Sequence, residues 1–374
     1  MPDVRAAAER YVLLAAEADR AAAGLVGTWL ADPPRVPPKR RELPVLAAEA
    51  DALARDAGAG HLAAQLRALA LACRLRSGVE LPFAEVVAAA VGVRARPDDV
   101  AEAHAAVDEL LPGEGDPGER LRAWQERRAV PPGHVPAVAR RILLEARRRT
   151  AEVVPLPEDA VELATATGRP WSGENAYLRG FRSRVELNGD EPLTLARLVD
   201  LLCHEGYPGH HAERVRLEAA AREGRVECGI ALAVSPAAVP SEGLASMAEE
   251  LVLPDEDFAG LCGELGASPA EVDEELRERR AGAALQRLRT VNTNAALLLH
   301  ERGAGAGEVE AYLVELGLRT PARARSIVRW MRDPLRAAYL FAYPAGVSLV
   351  ERLIGARGRR EALRQLLEVP WAGA

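Results

Sequence analysis

The chain has 374 residues, enough to enclose a large core, and its 49% hydrophobic and 28% charged residues are the balance of a soluble globular protein. A formal net charge of −7 with no basic run argues against a nucleic-acid partner. No stretch of eighteen residues is uninterruptedly apolar, and Met1-Pro2-Asp3-Val4-Arg5 lacks the basic and apolar regions of a signal peptide, so no membrane partner and a cytoplasmic location are expected.

The first 150 residues read as one helix after another. An Ala/Leu stripe at helical period runs from Arg5 to Leu30 and stops before the stiff Asp32-Pro33-Pro34-Arg35-Val36-Pro37-Pro38 linker. Further helical patterns cover residues 45–57, 60–76, 82–91, 97–111, 117–129 and 134–152, separated by Gly- and Pro-containing turns. Two units are expected: a helical subdomain over residues 1–150 and a subdomain bearing the site over 151–374. Eleven of the fifteen aromatic residues lie between Trp171 and Trp371, which points either to a cleft in the second unit or to a bulkier core there. Cys73, Cys203, Cys228 and Cys262 show no CxxC spacing and read as buried reduced thiols.

Phe181 to Asn188 breaks the helical period. It alternates Arg182, Arg184, Glu186 and Asn188 with Ser183, Val185 and Leu187, ends at Gly189-Asp190, and is expected to be a strand beside the site. A substrate backbone can add to such an edge, and Arg182 and Arg184 are candidates to bind a substrate carboxylate; a solubilising role at the strand edge is the plainer alternative.

The most informative stretch follows. Leu193 to Cys203 is an amphipathic helix with Thr194 as N-cap candidate, and it runs into His204-Glu205-Gly206-Tyr207-Pro208-Gly209-His210-His211. Imidazoles with an adjacent carboxylate are the raw material of a zinc hydrolase: His204 and His210 as ligands, Glu205 to take a proton from an activated water. Residues six apart differ by about 240° around a regular helix, so His204 and His210 can share an ion only if the helix breaks. Pro208 removes a backbone donor and crowds residue 204, and Gly209 opens backbone angles closed to other residues, so a break between 205 and 210 is expected. His211 is the competing second ligand, otherwise facing the pocket; Tyr207 is a candidate substrate contact. Downstream, Glu242 opens a predicted helix as third ligand, and Glu249, seven residues on and on the same face, is expected to orient a ligand imidazole. Tyr339 and Tyr343, four apart, are candidates to hold an oxyanion. His61, His104, His134 and His300 read as surface or satisfied core residues.

His204-Glu205-Gly206-Tyr207-Pro208-Gly209-His210-His211 and the later Glu242-Gly243-Leu244-Ala245-Ser246-Met247-Ala248-Glu249 resemble the HExxPGHH and EGWALYxE motifs of a large bacterial family. That family is catalogued mainly as a domain of unknown function and is related in fold to the helical zincin metallopeptidases. The resemblance spans roughly Trp171 to the C-terminus. It implies zinc on His204, His210 and Glu242 with Glu205 as general base. The chain departs from the family where Leu244 and Met247 replace the rings of EGWALY, and where Asn292 replaces an Asp of a later motif. The expected protein is therefore mostly α-helical and zincin-like, with a short strand beside the site helix. Its expected activity is hydrolysis of amide or peptide bonds in small peptides or amino-acid conjugates. A non-catalytic metal site and an ester or N-acyl hydrolase are the alternatives. Two His and one Glu suit zinc, manganese or cobalt alike.

Overall fold

A computed structural model of the chain describes residues 4–37, 39–169 and 171–368. Met1 to Asp3, Pro38 of the linker and Trp371 lie outside the described residues. The fold is mostly helical, with two small sheets. The first half holds α1 (Val4–Ala21), β1 (Val26–Trp29), α2 (Leu43–Ala57), α3 (His61–Arg76), α4 (Phe83–Val91), α5 (Ala101–Leu110), α6 (Pro117–Glu126) and α7 (Val135–Ala151). These match the sequence pattern except at the start, where the expected helix to Leu30 stops at Ala21. There the Asp19 carboxylate accepts the N–H groups of Gly24, Leu25 and Val26 at 2.9, 2.9 and 3.1 Å and turns the chain. Val26-Gly27-Thr28-Trp29, rich in β-formers, then extends as a strand.

Next come β2 (Ala160–Ala166), β3 (Gly173–Tyr177) and β4 (Arg182–Asn188), in the order β2-β4-β3. β4 pairs parallel with β2 and antiparallel with β3. The strand expected from alternation is thus the middle one, and it buries Ser183, Val185 and Leu187 as the pattern requires. The edge toward the site belongs to β3, which the sequence reading missed: its five residues are too few to show a period.

The chain continues through α8 (Leu195–Glu205), α9 (His210–Arg222), β5 (Ile230–Leu232), α10 (Ala238–Ser246), α11 (Ala248–Val252), α12 (Asp255–Glu264) and α13 (Pro269–Arg287). It ends with α14 (Thr290–His300), α15 (Ala306–Glu315), α16 (Pro321–Met331), α17 (Pro334–Tyr339), α18 (Ala342–Arg357) and α19 (Arg359–Leu367). β5 pairs antiparallel with β1, tying the second half to the first.

Two clusters of buried side chains cut across the expected boundary at residue 150. One joins α1–α6 to α13–α17, with Tyr11, Leu69, Val87, Trp124, Leu297 and Met331 among its members. The other gathers α7, α8, α11, α12 and α19 against β4, with Ile142, Leu198, Leu202, Phe258 and Leu363 at its centre. α10 and α18 each contribute to both: Ala238 and Ala342 to the first, Leu244 and Val350 to the second. These two helices cross where Gly243 meets Gly346. A Cβ on Gly243 would lie 2.5 Å from the Gly346 carbonyl oxygen, so only glycines allow the approach. The site described next lies on this seam.

Candidate metal centre and cleft

α8 begins with the Thr194 hydroxyl accepting the N–H of Arg197 at 3.1 Å and buries Leu198, Val199, Leu201 and Leu202 on one face. It ends at Glu205, and α9 starts at His210 after a turn that contains a cis Tyr207-Pro208 bond. The expected break is present. Gly209 donates to the Cys203 carbonyl at 3.1 Å, and a Cβ there would stand 2.0 Å from the His204 carbonyl oxygen, so no other residue fits. Asn175 of β3 clamps the end of α8 by donating to the Glu205 carbonyl at 2.6 Å, and Arg214 of α9 donates to the Asn175 carbonyl at 2.9 Å.

With the helix broken, the rings of His204 and His210 stand 4.9 Å apart at right angles. His204, Glu205 and His210 offer donor atoms all within 4.8 Å of one another. Glu242, on the middle of α10 and 2% exposed, adds a further carboxylate. Its Oε2 is 3.8 Å from His204 Nε2, and its Oε1 is 3.6 Å from His210 Nε2. Glu205 Oε1 is 3.9 Å from His204 Nε2. Donors around a tetrahedral zinc with bonds of about 2.0–2.1 Å sit about 3.3 Å apart, a few tenths of an ångström inside these values. Glu242 Oε2 is buried with no hydrogen-bond partner, which a cation would supply. Two buried carboxylates facing two imidazoles also leave a charge that one divalent ion balances. The donor set therefore fits a metal.

Burial, then the neighbouring His210, Arg289 and Arg197, hold His204 well below the usual histidine range, so its ring is neutral, the ligating form. Burial also disfavours charge on His210, but Glu242 and Glu213 outweigh it and raise its affinity for a proton. Glu205 is pushed up by burial first and then by Glu242 and Glu174, against His210 and Arg214. The hydroxyl of Tyr339 donates to Glu242 Oε1, and Tyr343 packs edge-on to Tyr339 at 5.9 Å. Burial followed by the charge of Glu242 raises both tyrosines well above their usual range, so both stay neutral donors.

These groups floor a cleft of about 870 Å³ lined by Glu205, His210, Arg214, Tyr339 and Tyr343. Its walls add Trp29 of β1, Trp171, the β3 strand and Trp330 of α16. The sequence reading missed Asn175, Arg214, Trp29 and Trp330, which carry no motif. The run Val26-Gly27-Thr28-Trp29, read for β propensity, is the one signal that would have drawn attention to Trp29.

Five expected residues are not brought to the cleft. His211 is fully buried on the far side of α9, with Nδ1 2.7 Å from the Ser183 hydroxyl and Nε2 3.8 Å from Asp159, because adjacent residues of a helix diverge by about 100°. Tyr207 is buried in the turn and donates its hydroxyl to the same Asp159, which also pairs with Arg147 at 3.0 Å. Glu249 pairs with Arg279 at 3.1 Å and not with a ligand imidazole: Met247 separates α10 from α11, so Glu242 and Glu249 share no continuous face. Arg182 and Arg184 point to solvent from the middle strand, with Arg184 3.4 Å from Glu162 of β2.

No family model and no curated protein matches the chain. Among solved structures, the chain is similar in fold to "the putative lipoprotein from Colwellia psychrerythraea", with 19% identity and a TM-score of 0.55 over 80% of this chain. It spans about half, 52%, of that chain's length. A "putative lipoprotein of unknown function from Shewanella oneidensis" aligns at 13% identity and a TM-score of 0.49, covering 87% of this chain and 72% of its own. The expected cytoplasmic location is corrected and withdrawn, since the Colwellia structure is described as a lipoprotein. Among the described residues no helix is long and apolar enough to cross a membrane.

Proposed function

We propose that the chain is a metal-dependent hydrolase of amide or peptide bonds, zincin-like in its site, acting on small peptides or amino-acid conjugates. The observation that carries this reading is the convergence of His204, Glu205 and His210 on a cleft bordered by a sheet edge, with the buried Glu242 carboxylate 3.8 and 3.6 Å from the two imidazoles. The resemblance to the HExxPGHH family supports it.

His204, His210 and Glu242 would hold the ion, zinc or another divalent transition metal that two His and one Glu suit. When bound, it would polarise the substrate carbonyl and acidify a water. The raised proton affinity of Glu205 suits a base that must also release a proton to the leaving amine. Asn175 and Arg214 hold the backbone of Glu205 in place. Tyr339 and Tyr343 line the same cleft with neutral hydroxyls, Tyr339 already donating to Glu242, and would steady the carbonyl oxygen as charge develops on it. The β3 edge, not the β4 strand, is the element to which an extended substrate adds.

Elemental analysis of the purified protein beside H204A and E205Q tests the reading. The wild type and E205Q are expected to carry one metal ion per chain and H204A little. With a peptide panel, E205Q is expected to lose at least about a hundredfold in kcat. A protein without stoichiometric metal that gains no activity when zinc is added would sink the proposal, and an E205Q variant as active as wild type would reduce the site to a structural one.

A further inference from the structure

The cleft does not end at the tyrosines. A second hollow of about 470 Å³ shares Gly27, Glu174, Trp330 and Tyr339 with the first, so the two are immediate neighbours. Its floor is apolar, built from Leu25, Leu69, Val234 and Leu335, all buried, with Leu232 beside them. Arg76 and Arg336 line this hollow and not the first. Both face Asp333, Arg76 at 2.6 Å and Arg336 at 3.8 Å, the second too long for a hydrogen bond, so the Arg336 guanidinium can turn to a ligand; Glu174, the carboxylate of the hollow's own lining, belongs to the part it shares with the first cleft.

We propose that this second chamber is a ligand subsite that takes an apolar chain ending in a carboxylate. The apolar floor would bury the chain, and Arg76 and Arg336 would receive the anion through charge-assisted hydrogen bonds. The volume lies in the range of small-molecule sites, and the four shared residues set this hollow directly beside the cleft that holds His204, Glu205 and His210. The identification of this ligand as the substrate rests on the hydrolase reading; the subsite itself does not.

Calorimetric titration of the full chain with hexanoate, octanoate and octan-1-ol tests it, on wild type and on E205Q in parallel. Octanoate is expected to bind both proteins alike, up to about fourfold more tightly per added methylene than hexanoate. It should also bind about tenfold more tightly than octan-1-ol, and R336A should erase that preference. Two variants narrow the chamber, L232W at its wall and A23W at its exposed rim, and each should weaken octanoate binding at least about tenfold. Absence of octanoate binding, or binding unchanged in both variants, overturns the proposal. Octanoate binding by a protein that holds no metal and cleaves no peptide would refute the hydrolase reading and leave the subsite standing.

Discussion

The crossing of α10 and α18 makes a sharp prediction for Gly243→Ala. The added Cβ would meet Gly346 at 2.5 Å from its oxygen, 2.7 Å from its carbonyl carbon and 2.9 Å from its Cα. Carbon atoms settle about 3.5–4.0 Å apart, so α18 must retreat by about 1 Å, and the obstacle is backbone, which cannot rotate away. Overpacking of this kind costs about 1–3 kcal/mol, while alanine in place of glycine inside a helix returns about 1 kcal/mol. Against backbone the upper end applies, giving a net loss of about 2 kcal/mol. Gly282 of α13 supplies the control, because a Cβ there meets nothing within 4 Å. Gly282→Ala should stabilise by about 0.4–1 kcal/mol. Urea denaturation of the two variants reads the difference directly. Because α10 carries Glu242 and α18 carries Tyr343, Gly243→Ala should also weaken zinc binding in a competition titration with a chromogenic chelator. Equal midpoints and equal zinc affinity for the two variants would refute the close-packing argument.

Three further outcomes are expected. Asp159 is buried and pairs with Arg147, Tyr207 and His211, so Asp159→Asn should lower stability by about 2–4 kcal/mol in denaturant titration; a loss under 0.5 kcal/mol would contradict the network. Arg148 and then Arg149 hold the Glu145 carboxyl down to about 2, below its ordinary 4.5, so its stabilisation is complete above pH 4.5 and lost as pH falls toward 2. With Arg148 half-exposed that amounts to about 1 kcal/mol, and Glu145→Gln should flatten the acid limb of the stability profile by that much. Burial raises the thiols of Cys73 to about 11 and of Cys228 and Cys262 to about 12, and holds that of Cys203 well above the usual thiol range. A disulfide reagent such as dithionitrobenzoate should therefore find four thiols in urea and almost none in the native protein; rapid native reaction would show that a thiol is reachable.

Long amphipathic stretches were readable because their period repeats: the helices α2 to α7 fall within a few residues of the pattern, and α8 does so with its Thr194 cap. The break after Glu205 was readable as well, since Pro208 disrupts a regular helix and Gly209 admits the backbone angles of a turn. What failed was continuity. The reading carried one helix from Glu242 to Glu249, and Met247 ends it; nothing in the local residues marks that stop. Short strands failed for another reason: β3 gains its place by pairing with β4 and by Asn175 reaching the end of α8, interactions about 10 to 30 residues distant. His211 and Tyr207 were drawn to the cleft by proximity in sequence, but a helix sends neighbours to different sides, and both serve the buried Asp159 instead.

The rooting of α10 and α18 in both hydrophobic clusters bears on how the protein responds to heat. A site carried on a surface loop can melt alone, ahead of its scaffold, and recover on cooling. Here Glu242, a proposed metal ligand, and Tyr343 beside it stand on the two helices that fasten the halves together, so loosening either half would disturb the proposed site. Metal affinity should hold nearly constant across the native baseline and collapse within the main unfolding transition. Bound metal, in turn, should raise the temperature of that whole transition and not of one limb of it.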